Sequence, residues 1–491
     1  MIAALILVPI IAAILSLIIR HDTLRRVIFV SAAFAHSVLT AIAWSRTPEP
    51  VLNGWLMLDA PGLLFLSITS VLFLAASFYA VGYLNSEKKQ EKQDFEDGSI
   101  FTNTPEAIFI ACLLAFLATM TLVTASQHLG LLWVAMEATT LATAPLIYFH
   151  RHNRSLEATW KYLLICSVGI ALALLGNFFL AVAAAKAGNQ DTKLLLSDLI
   201  QQGGTLNIPW LRAAFLFLLV GYGTKMGLAP LHTWLPDAHS ESPSIVSALL
   251  SGALLNCAFL AILRSHQVLS AAGQSEFSSS LLIVFGLISI IWAAIFILGQ
   301  TDYKRMLAYS SVEHMGILAL GVGVSGAAAF GAMLHAVNHS LTKAMLFFVA
   351  GNILAVYKTK ASKDVTGIIS ITPATGVLWL AGFVAIVGLP PFGLFISEFI
   401  IAKAMFEQHR VGIAIAYLAV LALIFISMSK IFLNMAQGKA PQNISAQTGS
   451  QTILNILPPA FLGVLTLIFG LYIPPFLNTA LHAAAKAIGG F

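Results

Sequence analysis

Apolar runs near twenty residues long recur along this chain, at roughly 2 to 19, 26 to 45, 62 to 84, 106 to 125, 128 to 149, 159 to 185 and 210 to 229. They continue at roughly 243 to 263, 280 to 299, 306 to 324, 328 to 356, 373 to 405, 411 to 435 and 453 to 474. A helix rises about 1.5 Å per residue and the hydrocarbon core of a bilayer is about 30 Å thick, so each run can span it. The pattern predicts an all-α integral membrane protein of about fourteen transmembrane helices. The first run lacks a small-residue cleavage site and is expected to be a retained helix rather than a signal peptide. The final stretch, "PPFLNTALHAAAKAIGGF", is more polar and is expected to lie at the membrane interface.

Composition supports the membrane reading. Of 491 residues, 58% are hydrophobic and only 10% charged, against about a quarter charged in a globular domain. The net charge of +5 sits mostly in short loops, where it sets topology and is no nucleic-acid footprint. The odd-numbered connections collect most of the Lys and Arg residues, including Arg25, Arg26, Lys304, Arg305, Lys358 and Lys360. The even ones hold fewer, chiefly Arg46, Lys186, Lys193, Arg264 and Arg410. The positive-inside rule then puts both termini on the outer side. The polar stretch "NSEKKQEKQDFEDGS" reads as a solvated loop or a partner contact. Cys112, Cys166 and Cys257 stand singly in apolar segments, which implies no disulfide, cluster or metal site.

Two pairs of segments resemble each other. "GLAPLHTWLPDA" from Gly227 is like "GLPPFGLFISEF" from Gly388, and "AMEATTLAT" around Glu137 is like "SVEHMGILA" around Glu313. Each pair lies five spans apart, so each element would recur upside down, as in transporters built from inverted repeats. The expected division is an N-terminal three-helix segment at 1–105, five-helix repeats at 106–265 and 280–437, and a C-terminal helix with its tail at 438–491. The seventh and twelfth spans each carry a Gly-Leu-x-Pro break, tolerated in a bilayer only where the freed backbone lines a wet cavity.

Ionisable residues inside spans cost roughly 2.5 to 3.5 kcal/mol each, so they persist where they pair or conduct. Glu137 and Lys225 both fall near mid-depth and are candidates for an ion pair, either as interhelical glue or as a switch on the proton held by Lys225. His335, His339 and Lys343 sit at i, i+4 and i+8 and so share one helix face. Histidine titrates near neutrality and can relay protons. Glu398 follows the second break and is the candidate terminal acceptor, while Lys403 beyond it is free to snorkel. Lys161, beside Trp160 and Tyr162, reads equally as an interface anchor or a relay. His232, Asp237, His239 and Glu241 surround the first break as an entry vestibule or a solvated loop. His335 and His339 have the spacing of a zinc helix, but no Glu stands in the H-E-x-x-H position and no third ligand is local, so no metal is expected.

The segments "LLWVAMEATT", "GTKMGLAPLHTWLPDAHSESPSIVSALLSG", "DYKRMLAYSSVEHMG", "HAVNHSLTKAMLFF" and "GLPPFGLFISEF" together resemble the antiporter-like proton-translocating subunits of respiratory complex I, membrane-bound group 4 NiFe hydrogenases and Mrp cation/proton antiporters. The wording of "TWLPDAHSESPSIVSALLSG" and "SSVEHMG" is nearest to the component F type of hydrogenase 4. The resemblance covers nearly the whole chain. It implies that Glu137 and Lys225 are a coupling pair, that Lys161, His335, His339 and Lys343 belong to a central hydrophilic axis, and that Glu398 is terminal. His232, Asp237, His239, Asn256 and Glu313 are auxiliary candidates.

The resemblance further implies a proton-translocating subunit of a redox-driven complex in a bacterial or archaeal cytoplasmic membrane. Its partners would be other membrane subunits, a second antiporter-like subunit among them, and peripheral redox subunits. Iron-sulfur clusters, and NiFe in the hydrogenase case, would lie in those partners, with no cofactor bound by this chain. The alternatives are an Mrp-type antiporter subunit without redox chemistry and a non-conducting scaffold. Two departures stand out. Asn256 occupies the eighth span where many relatives carry a lysine, and the chain stops soon after its fourteenth span, without the long lateral helix of the largest complex I member.

Overall fold

The computed structural model describes residues 1–87, 92–93, 98, 100–185, 194–439 and 452–489. Most of the polar insertion, Lys88 and Lys89 included, lies outside the described residues, as do Lys186 and Lys193 in a later connection. The chain begins with α1 (Ile2–Ile18), α2 (Asp22–Ser45), α3 (Ala60–Ser86), α4 (Glu106–Ala125), α5 (Leu129–Ile147), α6 (Asn153–Ala184) and α7 (Leu196–Gln201). The middle comprises α8 (Ile208–Met226), α9 (Trp234–Glu241), α10 (Ser244–Leu249), α11 (Leu255–Ala271), α12 (Ser275–Ile297), α13 (Tyr303–Val324) and α14 (Ala327–Tyr357). The rest is α15 (Ile368–Ile371), α16 (Pro373–Ile386), α17 (Gly393–Glu407), α18 (Val411–Ala436), α19 (Ile453–Leu471) and α20 (Pro475–Ala487). One short antiparallel pair joins Lys92–Gln93 to Ile100–Phe101.

Eleven of these segments among the described residues are single helices long and apolar enough to cross a membrane, with α10 and α11 counted as one through a π turn at Leu250–Leu254. The other three expected passes are the shorter α1 and the two broken spans, α8 with α9 and α16 with α17. How the connections pair indicates whether all fourteen alternate in direction. Odd connections meet one another: Arg26 bonds Glu106 at 2.8 Å, His150 bonds Asn103 at 2.8 Å, and Ser240 donates to Asp302 at 2.7 Å. The Gly367 amide completes the set on the Gln437 carbonyl at 2.8 Å. Even connections likewise meet: the Gln127 amide bonds the Trp55 carbonyl at 2.7 Å, Leu129 bonds Leu194 at 2.8 Å, and Gln408 reaches the Ser325 carbonyl at 3.4 Å. The loops thus form two opposite layers sorted by parity, as alternating passes require.

The C-terminal tail folds as α20, whose apolar side, Leu481 and Ala484 included, is buried on the bundle. It docks on the even layer, where Ser325 Oγ donates to the Gly489 carbonyl at 3.1 Å and Gln267 to the Ala487 carbonyl at 2.9 Å. The core runs through α10–α11, α13 and α14. The outer faces of α18 and α19 present side chains such as Ile426 and Leu457 to the surroundings, the distribution expected where lipid is the solvent.

Two cations assigned to loops from the sequence are buried locks instead. Arg264 is fully buried and donates to the carbonyls of Val123 at 3.1 Å, Thr124 at 2.8 Å and Ser126, which end α4, and to Asp59 at 3.0 Å. Asp59 in turn caps α3 through the Gly62 amide at 3.1 Å. Lys304, also buried, binds the carbonyls of Ser240 at 3.1 Å and Ser242 at 2.7 Å at the end of α9. Each cation faces orphan helix-end carbonyls, where the helix dipole favours positive charge. Removing Arg264 leaves the carbonyls of Thr124 and Ser126 without its guanidinium and Asp59 without its cation, with only the Gly62 amide still bonded to that carboxylate. Arg264→Ala is expected to cost about 3 kcal/mol, read as a lowered unfolding midpoint in detergent, with Arg264→Lys losing less. An unchanged midpoint would refute the lock.

Candidate functional site

The first break places Lys225 in the last turn of α8. Gly227 (φ 84°) ends the helix, the indole of Trp234 donates back to the Thr224 carbonyl at 2.8 Å, and the Ala229 amide donates to Ser289 Oγ at 2.9 Å. Lys225 is fully buried. It donates to Thr140 Oγ1 at 2.6 Å and to the Tyr162 hydroxyl at 2.9 Å, with its ammonium 4.9 Å from the Tyr162 ring centre.

The expected ion pair with Glu137 is not direct. Thr140 Oγ1 donates to Glu137 Oε2 at 3.2 Å, so one hydroxyl stands between carboxylate and amine. The helical rotation of α5 explains this. It turns the half-buried Glu137 outward, toward exposed Ser167 on α6, whose hydroxyl donates to Oε1 at 3.2 Å.

Inward from Lys225, the π turn precedes Asn256, whose amide donates to the Gly252 carbonyl at 3.0 Å and to Ser340 Oγ at 2.7 Å. Lys343 on α14 donates to the Leu307 carbonyl at 2.7 Å and to Ser310 Oγ. Beyond it three imidazoles gather. The ring centres of His335 and His339 each lie 5.1 Å from that of His314 on α13. His314 Nδ1 and His335 Nε2 are 3.0 Å apart, and His335 Nδ1 is 3.0 Å from Ser397 Oγ on α17. Glu398 follows and folds back over Gly388, where φ is 65° and a Cβ would overlap the carboxyl group.

Several buried polar atoms along this line have no protein hydrogen-bond partner: Asn256 Oδ1, Glu313 Oε2, Asn338 Oδ1, His314 Nε2 and both nitrogens of His339. Such atoms demand water or a shared proton, so the line is a polar seam through an apolar bundle.

Lys161 does not join it. Its side chain is 46% exposed and pairs with Glu157 at 2.7 Å and Asp237 at 3.0 Å, while Asp237 also binds Arg305 at 2.7 Å. The start of α6 points outward at the odd layer, which explains the misplacement. Lys403 is 62% exposed and pairs with Glu407 at 3.5 Å, away from Glu398. His232 and His239 are buried, the first among Trp292, Phe296 and Tyr309, the second stacked 5.1 Å from Phe347. A solvated loop would not bury them. His314 was missed from the sequence, although it adjoins Glu313 inside an apolar run, the same signal that marked His335.

Glu241 closes the odd end of this region, bonded to Lys360 at 2.7 Å with Arg154 at 3.9 Å. Burial pushes its carboxyl up, but Lys360, Arg154 and Lys304 outweigh that and hold it below the usual carboxylate range. A group depressed on folding contributes stability above its unfolded value, about pH 4.3, and loses it as pH falls through the folded value. The unfolding midpoint should therefore fall more steeply below about pH 4.3 than that of Glu241→Gln. Parallel curves would exclude this contribution.

Fold and seam define a multi-pass helical membrane protein of the transporter type, with titratable groups strung between two broken helices. The chain belongs to the family described as NADH:quinone oxidoreductase/Mrp antiporter, TM, which matches residues 126–426. It is 35% identical over 431 residues to a hydrogenase-4 component F homolog of Methylacidiphilum infernorum (isolate V4), covering 86% of each chain. It is 31% identical over 394 residues to NADH-quinone oxidoreductase subunit N of Desulforudis audaxviator (strain MP104C), covering 77% of this chain and 74% of the relative. Its fold matches a chain of the membrane-bound sulfane sulfur reductase, an archaeal respiratory membrane complex, with a TM-score of 0.87, 20% identity and coverage of 99% and 97%. The family read from the motifs is thus borne out.

Proposed function

We propose that this chain is a proton-translocating membrane subunit of a multisubunit redox-driven complex of the complex I or group 4 hydrogenase kind. The observation that carries the reading is the seam from Lys225 through Asn256, Lys343 and the imidazoles to Glu398. Its outer part, His314 to His335 to Ser397, is linked by contacts of 3.0 Å. Protons pass along such a chain by exchanging donor and acceptor roles, whereas a sodium ion would need oxygen ligands in place of its water. Asn256 holds a polar atom on the seam but carries no proton, so that step is bridged by water.

The redox chemistry belongs to partner subunits. The three cysteines are free and sit on three different helices, a donor set unlike that of an iron-sulfur cluster. A carboxylate at mid-depth is costly against lipid, so the face of α5 and α6 bearing Glu137 and Ser167 is where another membrane subunit packs, a second antiporter-like subunit by the family resemblance. The breaks after α8 and α16, in passes of opposite direction, support the inverted repeats at 106–265 and 280–437. The basic odd layer faces the cytoplasm of a bacterial or archaeal cell.

The deciding experiment places the purified complex in sealed vesicles and follows pH during redox turnover. Proton movement should persist when sodium is replaced by choline. A strict sodium requirement would overturn the assignment of the ion, and co-purification with subunits lacking redox centres would favour the Mrp-type alternative.

A further inference from the structure

The outer end of the seam offers a second chemistry, of which the sequence shows only the spacing of His335 and His339. His314, His335 and Glu398 come from three different helices, are all buried, and each presents a ligand atom within 4.8 Å of the others. His314 Nε2 is unpartnered, and His339, with both nitrogens unpartnered, lies with its ring 5.1 Å from that of His314. Three imidazoles and one carboxyl group make an N3O donor set. That set suits borderline divalent cations, which bind His nitrogen and carboxylate oxygen at about 2.0 to 2.2 Å in tetrahedral geometry. His339 stands farther off, its ring centre 6.5 Å from that of His335, so it joins only if the side chains move together. Lys343, one helical turn beyond His339 on α14, is the basic group nearest to these donors along that helix.

We propose that His314, His335 and Glu398, with His339 as fourth donor, form a binding site for a divalent cation of the zinc class, and that its occupancy closes the proton path. The closure rests on the proton-conducting reading above; the site does not. Each donor would give the metal the lone pair it otherwise gives a proton. His335 coordinates only by releasing His314 or Ser397, which are both held at 3.0 Å. Binding and conduction therefore exclude one another.

Cobalt(II) provides a visible absorption that reports tetrahedral nitrogen and oxygen ligation. The intact complex in detergent is titrated with Co2+, and the spectra of His314→Ala and Glu398→Gln complexes are subtracted to remove ions held elsewhere. The expected result is a saturable difference band of one ion per copy, displaced by Zn2+ and weakened at least about tenfold in affinity in either variant, equivalent to about 1.4 kcal/mol. Glu398→Gln is nearly isosteric, so it guards against misfolding as the cause. No difference band, or equal titrations in wild type and both variants, overturns the site. In vesicles, Zn2+ should stop proton movement over the range in which it displaces Co2+, and undiminished movement at full occupancy overturns the closure. If the wild type moves no protons at all, the functional reading fails, while the optical titration still decides the site.

Discussion

Lys225→Ala is expected to abolish proton translocation by the assembled complex, a loss on the order of a hundredfold or more, the scale set by a positioned proton-transfer group, while leaving assembly intact. On the proposed function the amine carries the proton between the Glu137 face and Asn256, and its contacts indicate why the fold should survive its removal. Thr140 keeps its bond to Glu137 at 3.2 Å and Tyr162 its bond to Thr143 at 2.6 Å, so neither hydroxyl is orphaned. Because one hydroxyl joins carboxylate to amine, Thr140→Val should uncouple severely and Thr140→Ser should rescue. Glu137→Gln should impair coupling severely, and Glu137→Asp should keep part of it. Retained pumping by Lys225→Ala would sink this reading, and equal losses from the two Glu137 variants would assign that residue a steric role.

Glu398→Gln is expected to leave redox turnover in detergent largely intact but to pump poorly in sealed vesicles. The carboxyl group lies beyond the second break, toward the even layer, and is 8% exposed. Its chemical neighbours are His314 and His335 rather than Lys403, so on the proposed function its proton would come from the imidazoles. The glutamine has nearly the same shape and hydrogen-bonding reach but cannot load and unload a proton. Gly388→Ala offers an independent approach to the same point. Its φ of 65° and the overlap with the Glu398 carboxyl should displace that group and cost about 1 kcal/mol of stability. Both variants should lose pumping together. Normal pumping by Glu398→Gln would place the exit elsewhere.

The sequence by itself determined the number of passes, their alternation and the two breaks. In a bilayer each spanning segment must satisfy its own backbone hydrogen bonds, so a run of apolar residues dictates a helix wherever it sits. Gly227 and Gly388 with the following prolines mark the ends of α8 and α16 for the same local reason. Glu137, Lys225, His335, His339, Lys343 and Glu398 were legible because a titratable residue in an apolar run is conspicuous. Only the tertiary structure decided how each helix is rotated about its axis and what faces it. That rotation sends Lys161 outward, brings His314 to the imidazoles, interposes Thr140 between Glu137 and Lys225, and turns Arg264 and Lys304 from loop charges into buried locks. The physical reason is that a residue's spacing along one helix sets its face, while the neighbour of that face is chosen by the packing of helices far apart in the chain.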